Sequence, residues 1–284
     1  MRAWMVAAVA VLVTAISGPA ARAQTSMTEP LTLAVHPYLT PDDIHARFTP
    51  LAAVIARTLG HPVTVRVGGS YAEHINAIGY DQVDVAFMGP ASYVTMLDRF
   101  GSKPLLARFE VGHRPDLYGV IVVAQGSDLR TVADLRGRSF AFGDRESTMG
   151  YYAPAWLMLH NGISLRALGS YRFLGTHPNV ALAVLAGDYD AGAIKREVYD
   201  DYASRGLRIL TELPPTPDHV FVTRANFPPA DVAKLRGALL ALGKTAEGRQ
   251  VLLALHPGLT NLIPATEADY QELRQMVHTV GAAQ

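Results

Sequence analysis

Cysteine is absent from this chain of 284 residues. Disulfide scaffolds, thiolate metal sites and cysteine nucleophiles are excluded at once. The chain is long enough to build a core without cross-links. Net charge is absent too, with 25 basic residues against 25 acidic ones. No basic stripe or tail is present, so nucleic acid is not an expected partner. Beyond the first residues, Arg, Asp, Gly or Pro breaks every apolar run before it could span a membrane. Three catalytic signatures are missing: the Gly-x-Ser-x-Gly elbow, His-Glu-x-x-His and Gly-x-x-x-x-Gly-Lys-Ser/Thr. The histidines show no metal-ligating spacing, so neither a metal nor a cofactor is expected.

Hydrophobic residues make up 49% of the chain, enough for a sizeable core. The first stretch reads as a secretory signal over residues 1–23. Arg2 supplies its positive start, Met5 to Ile16 its apolar core, and Ala21-Arg22-Ala23 a small-x-small cleavage site before Gln24. The expected product is a soluble, exported chain.

Strand and helix patterns then alternate. Leu31 to Val35, Val63 to Val67 and Val83 to Met88 read as strands. Phe48 to Leu59, Tyr71 to Gly79 and Ala91 to Phe100 read as helices between and after them. This βαβαβ order predicts a parallel sheet with helices on both faces. A second unit runs through strands at Tyr118 to Ala124, Ser139 to Phe142, Tyr171 to Leu174 and Ala191 to Ile194. His219 to Thr223 follows a proline-rich turn, and Pro229 to Leu242, Glu247 to Leu255 and Glu267 to Val280 read as helices. Crossings near 119–124 and 218–223 suggest two lobes and a hinge. Residues 24–120 with 221–284 would form one lobe and 121–220 the other. The cleft between them is the expected site.

One segment carries most of the chemistry. Phe142 to Pro154 runs off an apolar strand, through Gly143…Ser147-Thr148-Met149-Gly150, into a helix. A helix start leaves backbone N–H groups unpaired and adds partial positive charge. Hydroxyls beside such groups make an oxyanion pocket. The same Ser and Thr also serve as ordinary helix caps.

With that turn, four other landmarks occur in order: Gly69-Ser70-Tyr71, Val83-Asp84-Val85-Ala86-Phe87 with Gly89-Pro90, His177, and Gly187-Asp188-Tyr189-Asp190-Ala191-Gly192. Together they resemble the periplasmic phosphate/phosphite/phosphonate-binding proteins of ABC importers, over roughly residues 30 to 260. The resemblance implies a type II periplasmic-binding fold, two α/β lobes closing on a small oxyanion. It also implies a periplasmic monomer that delivers its ligand to a membrane permease. A sensor module feeding a membrane histidine kinase is the alternative partner.

By the same resemblance Tyr71 hydrogen-bonds the ligand, Ser147 and Thr148 supply hydroxyls, and His177 stands at another helix start. Met149 replaces the third hydroxyl of a common Ser-Thr-Ser cradle and keeps its backbone N–H. Lys195 stands where a neutral or acidic residue is expected. It either faces the cleft, favouring a more negative ligand, or pairs with Glu197 or Asp190. Tyr93, just after Gly89-Pro90, is a further candidate, although it shares a helical face with Met96 and Leu97. Tyr38 and Arg145 are lesser ones. An enzyme reading would assemble Ser147, His177 and Asp188 as a hydrolase triad, which order alone does not support.

Overall fold

The structure is a computed structural model and describes residues 29–283. The signal-peptide expectation lies outside the described residues. Among the described residues no helix is long and apolar enough to cross a membrane.

The chain opens with β1 (Leu31–Val35), α1 (Pro41–Leu59), β2 (Val63–Val67), α2 (Tyr71–Gly79), β3 (Val85–Met88), α3 (Pro90–Phe100) and β4 (Leu105–Val111). It continues through β5 (Asp116–Leu117), β6 (Gly119–Ala124), β7 (Ser139–Phe142), α4 (Ala153–His160), β8 (Ser170–Phe173), α5 (His177–Ala186), β9 (Ala191–Lys195), α6 (Arg196–Tyr202) and β10 (Leu207–Glu212). It closes with β11 (Thr216–Pro217), β12 (Val220–Thr223), α7 (Pro229–Ala241), α8 (Ala246–Leu255), β13 (Leu259–Ile263) and α9 (Gln271–Ala282).

These strands form two main sheets, one in the order β13-β4-β12-β3-β1-β2 and one in the order β10-β6-β9-β7-β8. Each sheet with its helices is one lobe of a type II periplasmic-binding fold. The expected all-parallel pairing holds for β1 with β2 and β3, and for β7 with β8 and β9. It fails elsewhere, because β12 returns antiparallel between β3 and β4, and β6 runs antiparallel to both β9 and β10. Both sheets are therefore mixed.

The chain crosses between the sheets at β5 and β11, which pair antiparallel as a separate two-stranded ribbon. The crossings thus precede the segments read as crossings from sequence. Residues 119–124 are already β6 in the second sheet, and 220–223 are β12 in the first. A strand inside a sheet is held by neighbours on both sides, whereas among the described residues β5 and β11 pair only with each other.

Local chemistry explains the element ends that build the site. Thr40 caps α1, its Oγ1 accepting from Asp43 N, and Gly60 ends that helix in the left-handed region at φ 72°. Pro90 takes the first position of α3, where its fixed φ suits a helix start and its missing N–H costs nothing. Each lobe buries its own apolar cluster: Phe48, Leu51, Phe87 and Leu252 in the first, Val122, Val180 and Ile194 in the second. A third cluster continues between lobes, joining Ile75 and Tyr93 to Phe142, Tyr151 and Tyr270. Helix α9 packs on α3 of the first lobe and on α4 of the second.

Candidate functional site

The centre of the site is a turn that only glycine permits. Gly143 donates its N–H to Gly150 O at 2.9 Å. A Cβ on Gly150 would stand 2.8 Å from Ser147 Oγ and 3.0 Å from Gly143 Cα, closer than packed atoms approach. With both side chains absent the two backbones meet. Ser147 Oγ then accepts from Gly150 N at 3.0 Å, and Tyr152 N reaches five residues back to Ser147 O at 3.1 Å. The result is one wide π turn, Thr148–Tyr152, ahead of α4. Such turns cluster at functional positions.

From this turn Thr148 reaches the other lobe, where its Oγ1 accepts from Ala91 N at 2.9 Å. Ala91 is the second residue of α3. Two helix starts from opposite lobes therefore face each other. A third joins them. Ser70 caps α2 through Glu73 N at 3.1 Å, setting Tyr71 at the head of that helix. Burial raises the Tyr71 phenol above its ordinary value, while a hydrogen bond with Ser147 acts the other way. The phenol is thus a neutral donor.

These pieces enclose a seat of about 10 Å³ lined by His36, Tyr71, Ser147, Thr148, Met149 and Lys195, with Gly89-Pro90, Leu117 and His219 completing it. The opposite wall is basic. Lys195 ends β9, is buried, and places Nζ 3.2 Å from His219 Nε2 and 4.4 Å from the Tyr38 ring centroid. His219 Nδ1 lies 2.7 Å from Asp218 Oδ1. With Lys195 donating to Nε2, His219 donates from Nδ1 to the carboxylate, which assigns its tautomer. Burial, together with the Lys195 charge, holds His219 well below its ordinary value. The Asp218 contact is therefore a hydrogen bond from a neutral imidazole. Burial pushes Asp218 up to about 6, against its hydrogen bond from His219 N and the Lys195 charge.

Five of the seven expected ligand residues come together here: Tyr71, Ser147, Thr148, Met149 and Lys195. The Met149 side chain turns into the core, so close to Gly119 that a Cβ there would stand 2.8 Å from Met149 Sδ. Lys195 faces the cleft. Asp190 instead accepts from Ser139, and Glu197 binds Arg47 at 2.9 Å and His256 at 3.1 Å. His177 begins α5 as expected but stands behind the seat, buried, with a hydrogen bond to the Ala193 backbone and no partner for Nδ1. Burial, then the charges of Lys195 and His219, lowers it to about 3. Tyr93 is a correction. It packs edge-on against Tyr270, 4.8 Å between centroids, in the core between α3 and α9 and not at the seat. Its helical face with Met96 outweighed its position at a strand end.

Comparison with known proteins decides the family. Residues 33–270 match the family described as ABC transporter, phosphonate, periplasmic substrate-binding protein. The chain belongs to that family. Its members are binding proteins and not enzymes. Accordingly the imagined triad is not assembled, since Ser147 Oγ caps its own turn and His177 hydrogen-bonds the Ala193 backbone. One relative, the phosphate-import protein PhnD of Mycolicibacterium smegmatis, is 30% identical over 66% of this chain and 62% of its own length. Another, the phosphonates-binding periplasmic protein of Escherichia coli, is 24% identical over 74% of this chain and 65% of its own. The chain thus spans somewhat less than two thirds of these relatives. PhnD1 of Prochlorococcus marinus, solved in complex with methylphosphonate, shares the fold at a TM-score of 0.80 and 19% identity, covering 88% of this chain and 98% of that one.

Within this family member, sequence reasoning missed His36, Asp218 and His219. His36 Nδ1 lies 3.1 Å from Phe87 O, and its ring stacks on His219 at 5.3 Å between centroids. Burial, then the neighbouring His219, His74 and Lys195, holds it well below its ordinary value. The one available signal was position. His36 directly follows β1 and His219 directly precedes β12, where an open α/β sheet collects ligands.

Proposed function

We propose that the protein captures a tetrahedral oxyanion of the phosphate and phosphonate class and delivers it to the membrane permease of an ABC importer. The observation that carries this reading is Thr148 Oγ1 on Ala91 N, an oxygen from one lobe seated on the helix start of the other. A ligand oxygen entering there takes over Ala91 N–H. It gains the unpaired N–H groups of the π turn and the hydroxyls of Tyr71, Ser147 and Thr148. Donors of this kind, in a water-poor site, suit an oxyanion and not a cation. The family match and its phosphate- and phosphonate-binding relatives support the same class. Nothing in the site favours the sensor alternative.

In this reading the chain divides at β5 and β11, and ligand draws the lobes together about that ribbon. The lobes already touch at Ala91–Thr148, at Thr95 Oγ1 to Glu146 Oε2 (2.9 Å) and at Arg47–Glu197.

Thermal unfolding with phosphate, phosphite, methylphosphonate and sulfate tests the class. A member of it at about 100 times its Kd adds about 2.7 kcal/mol of stability. Thr148→Val keeps the shape and removes the hydroxyl, and should weaken binding of that anion by about ten- to a hundredfold, the worth of a charged hydrogen bond. No stabilisation by any oxyanion would overturn the reading.

A further inference from the structure

The small seat opens into a second cavity of about 500 Å³. The two share Leu117, Lys195 and His219. Tyr38, Phe87, Phe109 and Tyr118 give the larger cavity an aromatic lining. Its volume falls within the range of about 300–1,000 Å³ that encloses a drug-sized ligand. A one-carbon phosphonate in the seat would leave it filled with solvent.

The charges around this cavity are partly spent on one another. Glu197 is held by Arg47 and His256 and Asp200 by Arg196, while Asp218 accepts a hydrogen bond from the neutral His219. Among the described residues Lys195 and Arg114 make no ion pair. Arg114 instead lies over the Tyr118 ring at 5.7 Å. Asp116 likewise has no ion pair and Asp218 meets only the neutral His219, so two carboxylates stand against these two cations. Lys195 is the more telling of the two cations. It is buried, it lines both cavities, and its nearest polar contact is a neutral imidazole. Glu197 and Asp218 attract it only from beyond ion-pair distance. A buried ammonium without an anion beside it is costly.

Resting on the oxyanion reading of the seat, we propose that the ligand has two parts. Its tetrahedral head occupies the seat, which has room for about one water and widens as the head displaces the Thr148–Ala91 contact. Its organic remainder, carrying a carboxylate, lies on the aromatic lining of the larger cavity with the carboxylate against Lys195. The chemical class is a carboxylate-bearing organophosphonate or the corresponding phosphate monoester. The apolar spacer is held by ring contact and area burial, and the carboxylate by one charge-assisted hydrogen bond.

Calorimetry with methylphosphonate, benzylphosphonate and carboxybenzylphosphonate tests this on the full protein. Benzylphosphonate should bind at least about tenfold tighter than methylphosphonate, and carboxybenzylphosphonate about tenfold tighter again. Carboxybenzyl phosphate should follow its phosphonate counterpart if only the tetrahedral head is read, and a preference for either identifies the source. Lys195→Gln should collapse the ratio between carboxybenzyl- and benzylphosphonate toward one. The ratio is read on a single variant, so any loss common to both ligands cancels. Methylphosphonate binding as tightly as the larger ligands would overturn the proposal and leave the oxyanion reading standing. A ratio that survives Lys195→Gln would overturn the role of Lys195. If methylphosphonate, phosphate and the larger ligands all fail to bind, the oxyanion reading itself falls.

Discussion

The cradle and the basic wall face each other across the seat, and they use their polar atoms in opposite ways. In the cradle every hydroxyl already has a backbone partner, Ser147 Oγ on Gly150 N and Thr148 Oγ1 on Ala91 N. On the wall, Lys195 has no ion pair among the described residues, and behind it His177 Nδ1 has no partner. The cradle comes from a few consecutive residues closed by backbone hydrogen bonds. The wall comes from side chains of β9, α5 and the segments beside β1 and β12. The difference separates two jobs. A cradle whose hydroxyl oxygens are already held by backbone N–H groups is stable before ligand arrives, and its remaining N–H groups supply general oxyanion affinity. A wall that buries the Lys195 ammonium against a neutral imidazole is costly until an anion arrives, and so it discriminates between ligands.

The largest effect should come from breaking the cradle. Gly150→Ala drives a Cβ into Ser147 Oγ and Gly143 Cα. Overpacking of backbone against backbone should cost about 1–3 kcal/mol in urea unfolding and abolish measurable methylphosphonate binding. Wild-type stability and affinity together would show that the close approach does not define the cradle.

A smaller effect should appear as the buried imidazoles around the wall are acidified. Burial lowers His74 to about 4 and His177 to about 3, each from an ordinary value of 6.5. In the unfolded chain these imidazoles take up protons below 6.5, and in the folded one they do not. Their contribution is therefore fully present above pH 6.5 and is lost as pH falls toward 4 and 3. Each should add a slope of at most about 1.4 kcal/mol per pH unit; His36 and His219 add to this uptake and Asp218 opposes it, so unfolding at pH 5 should take up protons on balance. A stability flat between pH 7 and 5 would remove the distinction between a strained wall and a relaxed cradle.

The smallest effect lies outside both regions. Burial raises Glu197, but the His256 hydrogen bond and the charges of Lys195 and Arg47 outweigh it and hold the carboxyl well below its usual range. Arg47→Met removes one contact between the lobes. It should weaken methylphosphonate binding a few-fold, about 0.5–1 kcal/mol, because a half-buried ion pair is worth little more. Solution scattering of the ligand-free variant should show a larger radius of gyration than wild type. An unchanged affinity and radius would mean that Arg47–Glu197 does not bias closure.

The cradle was legible in the sequence because its logic is local. Gly143, Ser147, Thr148 and Gly150 lie in one strand-to-helix turn, and turn chemistry depends on neighbours in the chain. The wall was legible only at Lys195 and His177. His36 and His219 lie far apart in sequence and meet only because β12 returns antiparallel beside β3. That return was itself hidden, since the strands around it alternate too weakly. β4 carries Arg108 and Glu110 among its apolar residues, and β10 is a half-exposed edge with a bulge between Ile209 and Thr211. Tyr93 misled for the converse reason. A strand-end position and a core-facing helical stripe coincide there, and packing against Tyr270 decides between them.

Leu117 belongs to the ribbon that joins the lobes and also lines both cavities. It is pivot and wall at once. In the proposed closure, motion about the ribbon displaces Leu117 least, so the junction between the two cavities, with Lys195 and His219 beside it, is the part of the site that closure disturbs least.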